Sequence, residues 1–322
     1  MALGTGLSSA KVDFIDAGYQ MSGSLLFDGV DDFGRFGLEA LTPANGTMKP
    51  VENGLTLACW VKLTDDESDG AGIYNTGPLQ KFFGCTVNGG FSLYYQSKVF
   101  QFHCKFQDGN GTLGAQTCKS TFADARLNAA NQVAKPLYKS DGWHFIVGTW
   151  DGNKVTNIYV DGGRDLAGTA GSEFGSQVED TNSKQTRPNP VGNNPSGVNK
   201  WFIKYKDDAV DSMLAVSPTF NAANSPKTAP NADYMGGYMG DFCQWNRELT
   251  SSEVTTLYNY HSPIDMSTMH LSDITGYYRC GDASGTSLPA YVGSYDITLG
   301  QSMSPGTVVP TLDVTTLGGG YG

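Results

Sequence analysis

The stretch WHFIVGTWDGNKVTNIYVDGG, residues 143–163, alternates in side-chain character, turns and alternates again. In residues 143–150, aromatic and β-branched side chains fall on the two faces in turn, which is typical of a β-strand. The turn residues 151–153, Asp-Gly-Asn, tolerate positive φ and favour a tight reversal of the chain. A second alternating arm, residues 155–160, ends at Asp-Gly-Gly. The stretch therefore predicts a β-hairpin in a layered sheet structure.

Composition limits the class of protein. The 322 residues are enough for one large all-β domain or two small ones. Charged residues make up only 16% and the net charge is −11, so we expect no nucleic acid among the partners. No apolar run approaches the ~20 residues that span a bilayer, so we expect no membrane insertion. The N-terminal sequence lacks a basic start followed by an apolar run, so we expect no secretory signal.

The six cysteines show no metal-binding pattern, because no two of them form a Cys-x-x-Cys pair. They are Cys59, Cys85, Cys104, Cys118, Cys243 and Cys280. An even number permits disulfides, but without a secretory signal we expect free and mostly buried thiols.

Other segments of alternating or apolar character predict further strands. They are residues 24–27, 55–63, 81–85, 90–95, 99–106, 200–206, 213–216, 234–245 and 274–280. Residues 108–131 predict a loop, with a turn of helix near residues 122–128. The sequence Thr-Ser-Ser-Glu at residues 250–253 predicts a capping box, with Thr250 as the N-cap of a short helix that buries an apolar stripe.

These elements predict an all-β fold, an antiparallel jelly-roll β-sandwich with one short helix and one long irregular insertion. We divide the chain into an N-terminal arm (residues 1–23), the sandwich (residues 24–280) and a C-terminal extension with a glycine-rich tail (residues 281–322). The insertion covers about residues 164–233, which are rich in Asn, Pro, Ser, Thr and Gly. An irregular stretch of that length inside a domain is uncommon and often functional.

Four segments carry motifs that can be compared with known families. Residues 24–32 read SLLFDGVDD, close to L-x-F-D-G-x-x-D, and residues 55–62 read LTLACWVK, close to L-T-x-x-x-W-V-K. The hairpin follows W-H-x-V-x-x-T-W-D-G and then Y-V-D-G. Residues 240–254, GDFCQWNRELTSSEV, are the most specific, because a strand, an Arg-x-Leu turn and a capped helix coincide there. In this order the motifs resemble those of laminin-G-like domains in the concanavalin-A-like lectin/glucanase superfamily.

A fifth segment, residues 276–286 (GYYRCGDASGT), resembles G-Y-W-R-F-x-E-x-S-G-T, which usually stands at the start of such domains and here comes late. The resemblance spans about residues 24–260, and the insertion departs from it. It implies a concanavalin-A-like sandwich, a scaffold that hosts enzymes, lectins and purely structural modules.

The resemblance also implies a calcium site beside a ligand-binding edge. Its candidate ligands are Asp28, Asp31 or Asp32, and Asp241, which stand far apart in sequence and would have to be brought together by the fold. The alternative is that Asp28 is only a turn residue and Asp241 a polar residue at a strand end.

Aromatic side chains are the candidates for glycan binding, because an exposed ring can stack on a sugar. Trp201 and Tyr205 lie in the insertion and are the candidate glycan-binding residues. Trp60, Trp150 and Trp245 lie in predicted strands, so we expect them in the sheet core.

Enzymatic activity is not expected. Glucanases of this fold carry Glu-x-Asp-x-Glu on one strand, which places two carboxyl groups on one face, and no such sequence occurs here. The acidic run at residues 65–69 lies in a predicted loop and is typical of a solvated surface. The four histidines have no G-x-S-x-G partner and no H-E-x-x-H spacing, and His144 is expected to be an ordinary strand position.

Three classes of function remain. The first is a structural protein of the outer surface of a phage or viral particle, a capsid decoration or a fibre or tail component, with other virion proteins and possible host-surface glycans as partners. It rests on the arm, the insertion and the tail: ordering a residue costs ~1–2 kcal/mol, so such polar segments would pack on neighbours in an oligomer or larger assembly. A secreted, extracellular carbohydrate-binding lectin is the alternative, and a polysaccharide hydrolase is the weaker third.

Overall fold

The computed structural model describes two large antiparallel sheets, with one helix packed on the outer face of the first. The residues described are 19, 21, 23–29, 32–36, 54–63, 80–85, 90–96, 99–107, 113–119, 143–152, 156–163, 202–203, 213–214, 217–218, 230–231, 234–259, 263–300 and 311–313. A third, two-stranded sheet lies within the insertion.

The strands follow most of the segments that the sequence predicts. In chain order they are β1 (Ser24–Asp28), β2 (Gly34–Arg35), β3 (Leu55–Leu63), β4 (Gln80–Cys85), β5 (Gly90–Gln96), β6 (Val99–Gln107), β7 (Leu113–Lys119), β8 (Trp143–Trp150), β9 (Thr156–Val160), β10 (Phe202–Ile203), β11 (Met213–Leu214), β12 (Ser217–Pro218), β13 (Pro230–Asn231), β14 (Gly236–Trp245), β15 (Ile274–Tyr278), β16 (Ser287–Leu288), β17 (Ile297–Leu299) and β18 (Thr311–Asp313). The helix α1 spans Ser251–Tyr258.

The pairing of the strands confirms the predicted antiparallel all-β sandwich. The first sheet has the order β18-β1-β14-β3-β8-β9, with β15 also paired to β14. The second has the order β10-β6-β5-β4-β11-β2-β17-β16, with β7 also paired to β6. The predicted hairpin is formed by β8 and β9, whose register pairs Ile146 with Val160 and Trp150 with Thr156.

The alternation along β3 places its side chains in two different cores. Leu57 and Val61 lie in the core between the two sheets, whereas Ala58 and Trp60 lie in a second core on the outer face of the first sheet. The ring of Trp60 stacks on that of Tyr258 in α1, with centroids 6.1 Å apart. The first sheet is therefore buried on both faces, one against the second sheet and one under the helix.

The tryptophan and cysteine side chains that the structure describes agree with expectation. Trp60, Trp150 and Trp245 are buried, which confirms them as core residues. The cysteines whose side chains the structure describes are free and buried; they are Cys59, Cys104, Cys243 and Cys280. Burial raises the pKa of the Cys59 thiol, which keeps it in the unreactive protonated form.

The prediction of a loop at residues 108–131 is wrong for its central part. Strand β7 (Leu113–Lys119) pairs antiparallel with β6, from Gln107 opposite Leu113 to Gln101 opposite Lys119. Its sequence, LGAQTCK, has no apolar alternation, so only the neighbouring strand reveals it. The helical turn predicted near residues 122–128 lies outside the described residues.

Residues 281–300 and 311–313 of the C-terminal extension are part of the sandwich. Strand β18 pairs with β1, and β17 pairs with β2, so the segment after Cys280 supplies strands to both sheets. Leu288, Ile297 and Leu299 are buried in the core between the sheets. The sandwich therefore extends beyond the boundary predicted at residue 280, and the two-residue length of β16 explains why alternation did not reveal it.

The end of the predicted N-terminal arm also packs on the sandwich. Met21 is fully buried in the outer core, and its sulfur accepts a hydrogen bond from the Asp241 backbone at 3.3 Å. A side chain at Gly240 would collide with this sulfur, because a Cβ there would lie 2.4 Å from it. Residues 1–18 of the arm lie outside the described residues.

The helix α1 begins with the predicted capping box. The Glu253 backbone N–H donates to Thr250 Oγ1 at 3.3 Å, and the Thr250 N–H donates to Glu253 Oε2 at 2.7 Å. Val254, Leu257 and Tyr258 form its buried stripe, as predicted. Within the described part of the chain, no helix has the length and hydropathy needed to span a bilayer.

A buried ion-pair geometry closes the hairpin at its far end. His144 Nδ1 lies 2.7 Å from Asp161 Oδ2, and the Phe145 N–H donates to Asp161 Oδ1 at 2.9 Å. Asp161 itself has a left-handed backbone, with φ of 52°. The next residue, Gly162, accepts a hydrogen bond from Thr255 of α1 at 3.0 Å. The motif W-H…V-D-G thus ties the hairpin to the helix.

Removing the Asp161 carboxylate is expected to destabilise the protein strongly. Asp161→Ala removes the acceptor of the Phe145 N–H and of the His144 ring in a buried site, and each buried donor left unsatisfied costs about 1–3 kcal/mol. Asp161→Asn is the matched variant, because Asn keeps an acceptor oxygen and tolerates the left-handed backbone. Urea unfolding should give a clearly smaller loss for Asn than for Ala. Equal stability of Asp161→Ala and the unchanged protein would contradict the role of this pair.

Candidate functional site

Side chains from five parts of the chain meet beside the edge of β15. We call this set the tyrosine–arginine cluster. It contains Tyr19, Asp241, Asp265, Tyr277, Arg279 and Tyr291. Strand pairing explains how they meet: β14 carries the first of the two aspartates, β15 carries Tyr277, and residues 291–292 bond to the outer edge of β15.

Asp241 forms the buried base of the cluster. Its Oδ1 accepts from the Cys280 N–H at 3.2 Å, and its Oδ2 accepts from the Tyr277 hydroxyl at 3.2 Å and from the Tyr19 hydroxyl. Burial raises the pKa of Asp241 to about 6, although these three donors and the nearby Arg279 pull it down. Burial and the Asp241 carboxylate raise the pKa of both tyrosines.

Arg279 lies among the tyrosine rings. Its guanidinium carbon is 3.4 Å from the centroid of the Tyr291 ring, 5.0 Å from that of Tyr19 and 5.5 Å from that of Tyr277, within the range of cation–π attraction. Its Nη2 donates to Asp265 Oδ2 at 2.5 Å. The guanidinium is therefore fixed by one carboxylate and by stacking.

Tyr291 is the exposed member of the cluster, with 48% of its surface accessible. Its backbone N–H donates to the Tyr277 carbonyl at 2.8 Å, and the Tyr277 N–H donates to the Val292 carbonyl at 2.8 Å. The two tyrosine rings meet edge to face, with centroids 5.3 Å apart. The Tyr291 ring is thus exposed to solvent while its backbone is hydrogen-bonded to β15 and its ring packs against that of Tyr277.

Sequence reasoning did not identify this cluster. Tyr277 and Arg279 stand in the G-Y-Y-R segment that resembles a family motif, and this was the available signal. Tyr291 lies in the polar sequence LPAYVGSYD, where nothing local distinguishes it. Tyr19 is 222 residues away from its partner Asp241, a contact that only the fold creates.

Of the predicted calcium ligands that the structure describes, Asp28 and Asp32 lie together, with the Asp28 N–H donating to Asp32 Oδ2 at 3.0 Å, whereas Asp241 lies apart from them. Asp28 is exposed at the end of β1 and pairs with Gly236, whereas Asp241 is buried five residues further along β14. At about 3.3 Å per residue the two positions are about 16 Å apart, so they cannot share one cation. Asp31 lies outside the described residues, and the described residues contain no group of three or more His, Cys, Asp or Glu side chains suited to a metal. Calcium binding stays a prediction.

The predicted glycan-binding residues, Trp201 and Tyr205, also lie outside the described residues. The structure describes only the backbone pairing of the intervening strand β10 with β6. Their role in glycan binding stays a prediction.

Two other polar groups serve the packing of α1 and the hairpin. Arg247 Nη1 contacts His270 Nδ1 at 2.9 Å, and His270 Nε2 bonds to Glu253, which joins the helix start to residues 263–273. Burial alone would raise the pKa of Glu253, but the bonds from Thr250 and His270 lower it. Glu248 is half-buried, and burial raises its pKa. Neither this residue nor the network around Glu253 includes an aromatic side chain that a ligand could stack on.

Fold and cluster together define a lectin-like β-sandwich that presents a firmly held aromatic ring at one edge. The chain belongs to the concanavalin A-like lectin/glucanases superfamily, because the laminin-G-type model of that superfamily matches residues 39–202, slightly more than half of the 322 residues. No curated protein sequence matches the chain.

Solved structures of low identity are similar to this chain. A proposed carbohydrate-binding protein from Bacteroides ovatus has 11% identity and a TM-score of 0.44, over 92% of this chain and 61% of that one. A heptameric SAP-like pentraxin from Limulus polyphemus has 12% identity and a TM-score of 0.35, over 74% and 82%. The binding domain of botulinum neurotoxin serotype G has 14% identity and a TM-score of 0.34, over 66% and 37%. This chain thus spans less than two thirds of the Bacteroides protein.

Asp241 is expected to make stability fall as pH rises. Its pKa is about 6 in the folded protein and about 3.9 in an unfolded chain. The folded state therefore binds the extra proton between these values, so the contribution of this group to stability is largest at low pH and is lost as pH rises through 6. Between about pH 5 and about pH 8 the loss is roughly 1 kcal/mol.

Asp241→Asn removes this titration while keeping the shape of the side chain. Urea unfolding at both pH values should show a smaller fall in stability for this variant than for the unchanged protein. Asp28→Asn, which changes an exposed carboxylate, is the control and should keep the fall. An undiminished fall in Asp241→Asn would rule out Asp241 as its source.

Proposed function

We propose that this chain binds glycans through the tyrosine–arginine cluster and does not cleave them. The observation that carries the proposal is the half-exposed Tyr291 ring, which is fixed from behind by Arg279 and along its backbone by Tyr277. The C–H face of a sugar packs on an aromatic ring, and a ring that is already fixed loses little entropy when it does so.

Polar groups around Tyr291 would complete such a site. Asp265 is only partly buried, and its oxygens already accept from Arg279 Nη2 and from the Ser267 N–H at 2.9 Å. Because Oδ1 also accepts from the Ser267 hydroxyl, Oδ2 is the oxygen with capacity for a further donor, so a sugar hydroxyl beside the ring has an acceptor. A few placed polar groups beside an apolar surface are the usual composition of a small-ligand site.

Binding without cleavage is supported by the state of the two carboxyl groups. Glycoside hydrolysis needs one carboxyl group free to donate a proton and a second free to attack or to activate water. Here Asp241 is buried under three donors and Asp265 is paired with Arg279. The sequence contains no Glu-x-Asp-x-Glu strand that would supply another pair.

We further propose that the protein acts on the outer surface of a virion, as a decoration, fibre or tail component. The support is the sequence: a charged fraction of 16%, the polar insertion and the polar arm. Residues 311–313 do not support this proposal, because β18 pairs with β1 of the same sandwich and needs no neighbouring molecule to order it. A secreted lectin is the alternative, and it needs the same glycan-binding surface.

Replacing Tyr291 is expected to weaken glycan binding at least tenfold. Tyr291→Ala removes the stacking surface. A stacking contact that contributes ~1.4 kcal/mol or more to the binding free energy corresponds to an affinity loss of at least tenfold. Tyr291→Phe should retain binding, and Leu271→Ala, which truncates an exposed side chain outside the cluster, is the matched control. A glycan array followed by calorimetry measures all three, with and without a calcium chelator, and the bound glycan should be recovered intact. Unchanged binding by Tyr291→Ala would contradict this site, and cleaved glycan would contradict the absence of catalysis.

Deleting residues 1–18 tests the proposed assembly. The sandwich should keep its stability, because the described packing begins at Tyr19 and Met21. We expect sedimentation velocity to show an oligomer for the full chain and smaller species for the shortened one. A full chain that sediments as a monomer at all concentrations would favour the free-lectin alternative.

A further inference from the structure

We propose that the tyrosine–arginine cluster selects neutral sugars and discriminates against sugars that carry a carboxylate, such as sialic and uronic acids. The inference rests on the proposed glycan binding and names the ligand class of that site. An arginine beside an exposed ring would usually indicate the opposite, because a guanidinium fork matches a carboxylate.

Arg279 offers little to an anion, because its Nη2 is bonded to Asp265 and its Nε is buried. The plane of the guanidinium is covered by the Tyr291 ring at 3.4 Å and flanked by Tyr19 at 5.0 Å. A ligand carboxylate that used Nη2 would have to displace Asp265, which is itself held by the Ser267 N–H and hydroxyl at 2.9 and 2.6 Å. The guanidinium therefore supports the ring and does not present its fork to a ligand.

The charge balance of the cluster is negative. Its one cation is Arg279, which is bonded to the carboxylate of Asp265. At pH values above the pKa of Asp241, Arg279 also lies near a second negative charge, the Asp241 carboxylate. Asp282 is exposed in the turn that follows Arg279 and adds another negative charge. The whole chain carries a net charge of −11. An anionic sugar would thus meet repulsion at the ring, whereas a neutral sugar meets none.

The same arrangement makes the Tyr291 ring a poor receptor for cations. A guanidinium already occupies one face of the ring, so a ligand cation on the other face would be repelled through it. Neutral ligands are the class that neither charge effect penalises.

Matched pairs of sugars separate this selectivity from binding itself. The probes are lactose with 3′-sialyllactose, and xylotriose with the same oligomer carrying a glucuronic acid branch, together with the neutral glycan that binds best on the array. We expect the acidic member of a pair to bind about three- to fifty-fold more weakly at low salt, the range for one unit charge about 7 Å away. The difference should shrink at high salt, because salt screens exposed charges.

Variants identify the charges responsible. Asp265→Asn removes one negative charge and releases Arg279 Nη2, so the preference for the neutral member should shrink or reverse. Asp282→Asn removes an exposed charge without disturbing the cluster and should shrink the preference less. Leu271→Ala keeps every charge and lies outside the cluster, so it should keep the preference.

The outcomes distinguish the two proposals. Loss of all binding, with neither member of any pair bound, overturns the proposed function itself. Equal or tighter binding of the acidic member at low salt, in a protein whose binding still depends on Tyr291, overturns only the charge selectivity. A preference that does not respond to salt, Asp265→Asn or Asp282→Asn would show that the discrimination is steric and would also overturn the electrostatic account.

Discussion

The buried contact between Asp161 and the β8 strand is the constraint on which the outer half of the molecule depends. One carboxylate takes the His144 ring and the Phe145 N–H at the same time, which fixes where β9 ends. The left-handed turn that follows brings Gly162 under α1, where a Cβ would lie 2.8 Å from the Tyr258 ring. The helix can approach the sheet only because this residue has no side chain. The hairpin and the helix are therefore positioned by the same short turn, Asp161 and Gly162.

That helix changes what the first sheet can do. A sheet with one solvated face would leave Trp60, Phe145 and Trp245 exposed, whereas here they are buried beneath α1 and residues 263–274. Covering the face requires the chain to cross it after β14 and return as β15. This crossing delivers Asp265, Tyr277 and Arg279 to one edge, next to Asp241. The cluster is therefore a consequence of how the outer core is closed.

The sequence predicts well those elements whose signal is local. The hairpin of β8 and β9, the strand β3 and the capping box at Thr250 all follow from periodicity or from hydrogen bonds between near neighbours. Strands β7 and β18 lack such a signal, because they exist through pairing with β6 and β1. The cluster could not be predicted for the same reason, because the contact between Tyr19 and Asp241 joins residues that are 222 positions apart in the sequence.

Asp241 shows how a motif can mark a residue whose surroundings only the fold reveals. The motif resemblance singled out an acidic residue on β14, and the structure places it at the centre of a cluster. Both oxygens of Asp241 accept hydrogen bonds, from Tyr19, Tyr277 and Cys280. Those donors turn the charge inward, where it orients two hydroxyl groups and, through Tyr277, the backbone of Tyr291. Its contribution to binding is then to fix the ring that a ligand touches, which a carboxylate can do without meeting the ligand.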